Sequence, residues 1–158
     1  MNKKLKLWEL DRVSEEEFKS QDKFPLIVIL NDIRSLNNIG TFFRTSDAFN
    51  VEKIYLCGIT ATPPHRDIHK TALGAEDTIA WEHRENIVEL VKELQAQGVC
   101  VASIEQAEKT TKLHEINQLD APKFALVFGN EVNGVDQEVI DISDAIIEIP
   151  QFGTKHSL

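Results

Sequence analysis

Residues 124–158 read FALVFGNEVNGVDQEVIDISDAIIEIPQFGTKHSL. The apolar run from Phe124 to Phe128 stops at Gly129-Asn130-Glu131, and a short run bounded by turn signals predicts a strand buried on both faces, as in a parallel sheet. Val135, Val139, Ile140 and Ile142 then recur at helical spacing, and residues 145–149 predict a second strand, ended by Pro150. Strand, helix and strand make one crossover unit. Its loops, residues 129–134 and 150–158, leave the carboxyl ends of the two strands, the edge at which open α/β sheets bind ligands.

Working outward, residues 25–30 (PLIVIL), 51–57 (VEKIYLC) and 99–104 (VCVASI) repeat the pattern of a buried strand. After a polar turn at residues 31–37, Ile39, Phe42, Phe43 and Phe49 suit a helix over residues 38–49 packed on a sheet. Ile87, Leu90, Val91 and Leu94 share one face before the stop at Gly98, which predicts an amphipathic helix over residues 85–97. Residues 58–70, with Thr62-Pro63-Pro64-His65-Arg66, predict a long loop, followed by a helix end at Gly74 and a short strand over residues 78–81. Residues 105–119 predict a polar connection with a short helix near residues 113–116. Residues 1–23 read as an N-terminal arm in which Ser14 and Glu17 have capping-box spacing before Phe18. Residues 24–158 read as one α/β domain with a mainly parallel sheet flanked by helices.

A chain of 158 residues is long enough for one substantial core. With 42% hydrophobic and 27% charged residues, and no apolar run near the ~20 residues that cross a bilayer, it is expected in the cytoplasm and off the membrane. Cys57 and Cys100 each fall in an apolar run and are expected to be reduced core residues. The net charge of −9 argues against a nucleic-acid partner unless cations cluster locally.

The glycine-rich phosphate cradles G-x-G-x-x-G and G-x-x-x-x-G-K-[ST] are missing, as are zinc spacings and a G-x-S-x-G elbow. Three polar constellations remain, each at the end of an expected strand. Asn37-Asn38-Ile39-Gly40 precedes Arg44, a residue able to hold phosphate or carboxylate; the competing reading makes Asn38 a helix cap and Arg44 a solvated helix residue. Gly129-Asn130-Glu131 puts a glycine and a carboxylate over the cleft, or forms an ordinary surface turn. Residues 149–158 carry Lys155, His156 and Ser157 as donors, or fray as a chain end.

Taken together and in this order, the segments resemble the SpoU-type branch of the SPOUT RNA methyltransferases, over residues 25–158. Asn38, Gly40 and Arg44 match the first motif of that family. Gly129, Glu131 and Gly134 match the second, G-x-E-x-x-G, and Ile149, Pro150, Gly153, Ser157 and Leu158 match the third, I-P-x-x-G-x-x-x-S-L-N. The resemblance implies a C-terminal trefoil knot, S-adenosyl-L-methionine as cofactor held at Gly129, Ile149 and Leu158, and a homodimer with its site near the subunit interface. It also implies methyl transfer to a ribose 2′-hydroxyl of RNA, with Arg44, Asn38, Glu131 and Ser157 as catalytic positions. In that family the third motif continues with an Asn and a helix, so the chain is expected to be a piece of a longer domain. Transfer RNA is the expected substrate over ribosomal RNA, because no separate RNA-binding domain precedes Pro25. A non-catalytic RNA-binding or assembly protein on the same fold is the alternative.

Overall fold

The apolar runs form the middle of one sheet in the computed structural model, which describes residues 1–156. Strand β1 (Phe24–Asn31) lies between β2 (Val51–Cys57) and β6 (Phe124–Phe128), and β4 (Cys100–Ile104) follows β6. Continuous Val, Ile and Leu suit these positions because helices cover both sides of a parallel sheet. The margins are shorter and more polar: β3 (Trp81–Arg84) pairs with β2, while β7 (Ala145–Glu148) lies between β4 and the two-residue β5 (Thr111–Lys112). The full order is β3-β2-β1-β6-β4-β7-β5, with every pairing parallel.

Helices α1 (Glu15–Ser20), α2 (Leu36–Ala48), α3 (Arg66–Ala72) and α4 (Ala75–Thr78) make one layer with Val28, Leu30, Ile54 and Leu56 of the sheet. Helices α5 (Ile87–Ala96) and α6 (Gln137–Ile142) make the other, on Ile27, Ile29, Val101, Ala125 and Val127. Ser14 does form the expected capping box with Glu17, and Phe18 of α1 is 7% exposed, so the arm docks into the first layer. The chain leaves β1 for α2 in that layer and leaves the neighbouring β6 for α6 in the opposite one. Divergence of adjacent strands opens a crevice at their carboxyl ends.

Several boundaries differ from the sequence expectation, for local reasons. The long loop ends at His65, whose Nδ1 accepts the Asp67 N–H (3.1 Å) and starts α3; only Ile68 and Ala72 of that helix are buried, too few to give a readable period. The strand expected at residues 78–81 is α4 followed by β3, an edge strand whose Glu82, His83 and Arg84 hide it in a polar sequence. Ser35, rather than Asn38, caps α2, its Oγ accepting the Asn38 N–H (3.2 Å). In β6 only Ala125 and Val127 are fully buried, while Phe124, Leu126 and Phe128 on the other face are half-covered. Cys57 and Cys100 are both free; Cys57 is fully buried, and that burial pushes its thiol up to about 12.

Gly40 is where α2 and α3 meet. A Cβ there would stand 2.0 Å from Thr71 Oγ1 and 2.2 Å from the Ile68 carbonyl oxygen, so α3 would have to retreat. Gly40→Ala gains about 1 kcal/mol of helix propensity, but overpacking costs about 1–3 kcal/mol. A net loss of about 1 kcal/mol is expected in a urea melt.

Candidate active site

Asn130 organises the loop after β6. Its backbone pairs in both directions with Gly134 (2.9 and 2.9 Å), and its Oδ1 accepts the N–H groups of Val132 (2.9 Å) and Asn133 (3.0 Å). Its Nδ2 donates to the Asp32 carbonyl (2.7 Å), tying this loop to the one after β1. Gly129 lies hard against the returning chain: a Cβ would sit 2.1 Å from the Gly134 carbonyl carbon and 2.2 Å from the Val135 nitrogen. The close approach this glycine allows is that of its own loop. At the loop's exit, Glu105 accepts the Val135 N–H (3.0 Å), and buried Asn31 accepts the Asp136 N–H (2.9 Å) while donating to its carboxylate (3.1 Å).

Glu131 reaches across to the start of α2. Its carboxylate accepts the N–H groups of Arg34 (2.9 Å) and Ser35 (2.9 Å) and the Asn38 amide (3.2 Å). The Ser35 amide and the Asn38 side chain belong to the N-terminal turn of α2, where a negative charge is favoured, and the Arg34 amide lies just before it. Burial pushes the Glu131 carboxyl up, but the Arg34 and Ser35 amides and the Asn38 side chain outweigh it and hold it below its ordinary value of 4.5. A depressed carboxyl contributes stability that is complete above the ordinary value and lost as pH falls through the folded one. The unfolding free energy of Glu131→Gln in urea should therefore trail wild type at pH 7, by about 1 kcal/mol for this exposed group. The gap should shrink as the pH is taken down through and below 4.5, and a gap of constant size over that range would rule the clamp out.

Beside this clamp is a cleft of about 1280 Å³ at the carboxyl edge of β4, β6 and β7. Ile104, Ile140 and Ile146 give it apolar surface, and Phe42 packs against Phe128 at one side (centroids 4.8 Å apart, 57° tilt). Its charged lining is Glu105, Glu108 and Glu131 against Lys109. Such a cleft suits a cationic or zwitterionic ligand with an apolar body better than it suits a phosphate.

Of the residues expected from sequence, the cleft brings together Asn38, Gly129, Glu131 and Ile149. Arg44 lies on α2, exposed, outside the cleft lining and without an ion pair or side-chain hydrogen bond among the described residues. Ser157 and Leu158 lie outside the described residues. Sequence reasoning missed Glu105 and the organising role of Asn130. Both stand directly at strand ends, Glu105 after Ile104 and Asn130 two residues after Phe128, and that position was the available signal. Among the described residues no group of three or more His, Cys, Asp and Glu could hold a metal ion, and no helix is long and apolar enough to cross a membrane.

The profile of the SpoU rRNA methylase family matches residues 25–158. A 23S rRNA (guanosine-2'-O-)-methyltransferase, RlmB, of Neisseria meningitidis serogroup B is 26% identical over 144 residues, 91% of this chain and 56% of that protein. The 23S rRNA (guanosine(2553)-2'-O)-methyltransferase RlmP of Bacillus subtilis is 30% identical over 132 residues, 84% of this chain and 52% of that protein. The chain thus spans about half the length of these relatives. Among solved structures, an AdoMet-bound rRNA methyltransferase from Sinorhizobium meliloti superposes with a TM-score of 0.78 at 26% identity, covering 87% of this chain and 51% of that one. A TrmH/SpoU tRNA modifying enzyme of A. aeolicus gives 0.75 at 26% identity, covering 91% and 71%.

Proposed function

Because the chain belongs to the SpoU rRNA methylase family, we propose that it takes part in methyl transfer from S-adenosylmethionine to a ribose 2′-hydroxyl of RNA. The observation that carries this reading is the meeting of Asn38, Gly129, Glu131 and Ile149 around one cleft at the sheet's switch point. The donor is a sulfonium with an ammonium and a carboxylate on its tail, and the acid-rich lining with apolar Ile104 and Ile146 suits that charge and shape. Gly129, Ile149 and Leu158 would hold it. When bound, it supplies an electrophilic methyl group.

The residues of this chain then position and stabilise. Glu131 and Asn38 fix the start of α2, and through it the helix that carries Arg44. Arg44 holds the phosphate next to the target ribose and stabilises the developing alkoxide as the 2′-oxygen attacks and its proton passes to solvent; a guanidinium stays protonated and is a poor base. Ser157, which lies outside the described residues, would contact the ribose region. Arg44 stands outside the cleft of its own chain, so the proposal includes a homodimer in which Arg44 of one copy serves the cleft of the other. Holding two reactants in line is a large part of what such a site supplies.

Tritium transfer from labelled donor into tRNA and into rRNA, followed by nucleoside mapping, tests the reading. Both RNA classes occur among the similar proteins, and the two arms decide between them. Label recovered in 2′-O-methyl nucleosides is the expected result. Label confined to bases, or no transfer to either RNA, would overturn it.

A further inference from the structure

Charge is unevenly spread over the helices. α5 and α6 present Glu89, Glu93, Glu138 and Asp141 against Lys92, whereas α2, α3 and the turn before α2 present Arg34, Arg44, Arg66 and Lys70 against Asp47 and Asp67; α1 of the same layer adds Glu15, Glu16 and Glu17. On α2 and α3 the acids are occupied. Asp47 accepts from Thr78 (2.8 Å) and Asp67 pairs with Lys70 (2.6 Å); nearby, Glu76 of α4 pairs with His69 (2.5 Å) and Glu131 is taken by backbone amides, while Asp77 of α4 and Glu15 and Glu16 of α1 keep no partner among the described residues. Arg84, at the sheet edge, is bound to Glu93 (2.6 Å), yet Arg34, Arg44 and Arg66 are exposed with no ion pair and no side-chain hydrogen bond among the described residues. In a chain with 26 acids and 17 lysines and arginines, guanidinium groups left open along one ridge point to an external anion.

Packing brings the two helices together. Thr71 donates to the Asn37 carbonyl (2.8 Å), and Ile68 and Thr71 both abut Gly40, so α3, which begins at Arg66, crosses α2 at Gly40. Arg34 stands just before α2, beside the Glu131 clamp and the cleft, and Arg44 lies two turns along it. The helix between them rises roughly 12 Å from Leu36 to Arg44, on the order of three phosphates of a nucleic-acid strand.

We propose that Arg34 and Arg66 hold the RNA backbone along the α2–α3 ridge, so that the strand carrying the target ribose runs from the cleft over this layer and avoids the acidic α5–α6 layer. The inference rests on the RNA reading above and adds a path and two residues to it. It also reconciles the net charge of −9 with a phosphate-rich partner, since affinity follows the local cluster.

The test uses a fluorescein-labelled single-stranded oligoribonucleotide and anisotropy across a salt series on the full chain. Replacing both arginines, Arg34→Gln with Arg66→Gln, should flatten the log–log salt dependence by roughly 1.4, about 0.7 for each phosphate no longer neutralised. Arg34→Lys with Arg66→Lys should restore most of that slope. Lys92→Gln on α5 should leave it unchanged, and donor affinity by calorimetry should match wild type in all of these. Wild-type slope in the double Gln variant would overturn the path while leaving the methyl-transfer reading to its own assay. An equal loss in Lys92→Gln would reduce the effect to overall charge and overturn it too, as would a wild-type chain that binds no RNA.

Discussion

Arg44→Ala is expected to lower methyl transfer by roughly 10²–10³-fold, the usual cost of removing one donor aimed at developing charge. Affinity for S-adenosylmethionine should stay at the wild-type value, because Arg44 is not part of the cleft lining. The side chain is exposed and makes no ion pair or side-chain hydrogen bond among the described residues, so the melting temperature should not move either. Mixing Arg44→Ala with a cleft-defective variant sharpens the test. If the arginine serves the other copy's cleft, mixed dimers regain activity that neither parent has; full activity in Arg44→Ala alone would end the assignment.

Gly129→Ala should do damage of a different kind. The new methyl group would overlap the Gly134 and Val135 backbone at 2.1 and 2.2 Å, and backbone cannot swing aside as a lysine tip would. Relief requires breaking the Asn130–Gly134 pair or pulling Val135 from Glu105. A loss of about 3 kcal/mol in chemical denaturation is expected, at the upper end of overpacking costs, together with loss of donor binding in calorimetry. Wild-type stability in this variant would mean that the loop adopts some other path.

The contrast between these two residues shows what could be read in advance. The strands β1, β2, β4 and β6 were legible because helices cover both sides of a parallel sheet and leave near-continuous runs such as LIVIL and FALVF. Strand β3 was expected three residues early, over residues 78–81, since an edge strand has no need to be apolar and its residues are Trp, Glu, His and Arg. At the site, Asn38 could be picked out as a polar residue at a helix start and Glu131 as one just past a strand end. Their pairing through the amides of Arg34 and Ser35 could not, because a backbone N–H is the same in every residue. Gly129 could be read as a glycine at the edge of a cleft, but the sequence does not say that the group lying against it is its own chain. Arg44 carries no visible partner, so its chemistry is a question about what lies outside the chain.

Glu131 joins two neighbours that the topology sends apart, the loop of the cleft after β6 and the first turn of the α2 ridge after β1. A joint of this kind makes occupancy on one side felt on the other. Thermodynamic linkage then requires reciprocity: whatever factor RNA contributes to donor affinity, donor contributes to RNA affinity, and cutting the joint with Glu131→Gln should make the two ligands indifferent to each other.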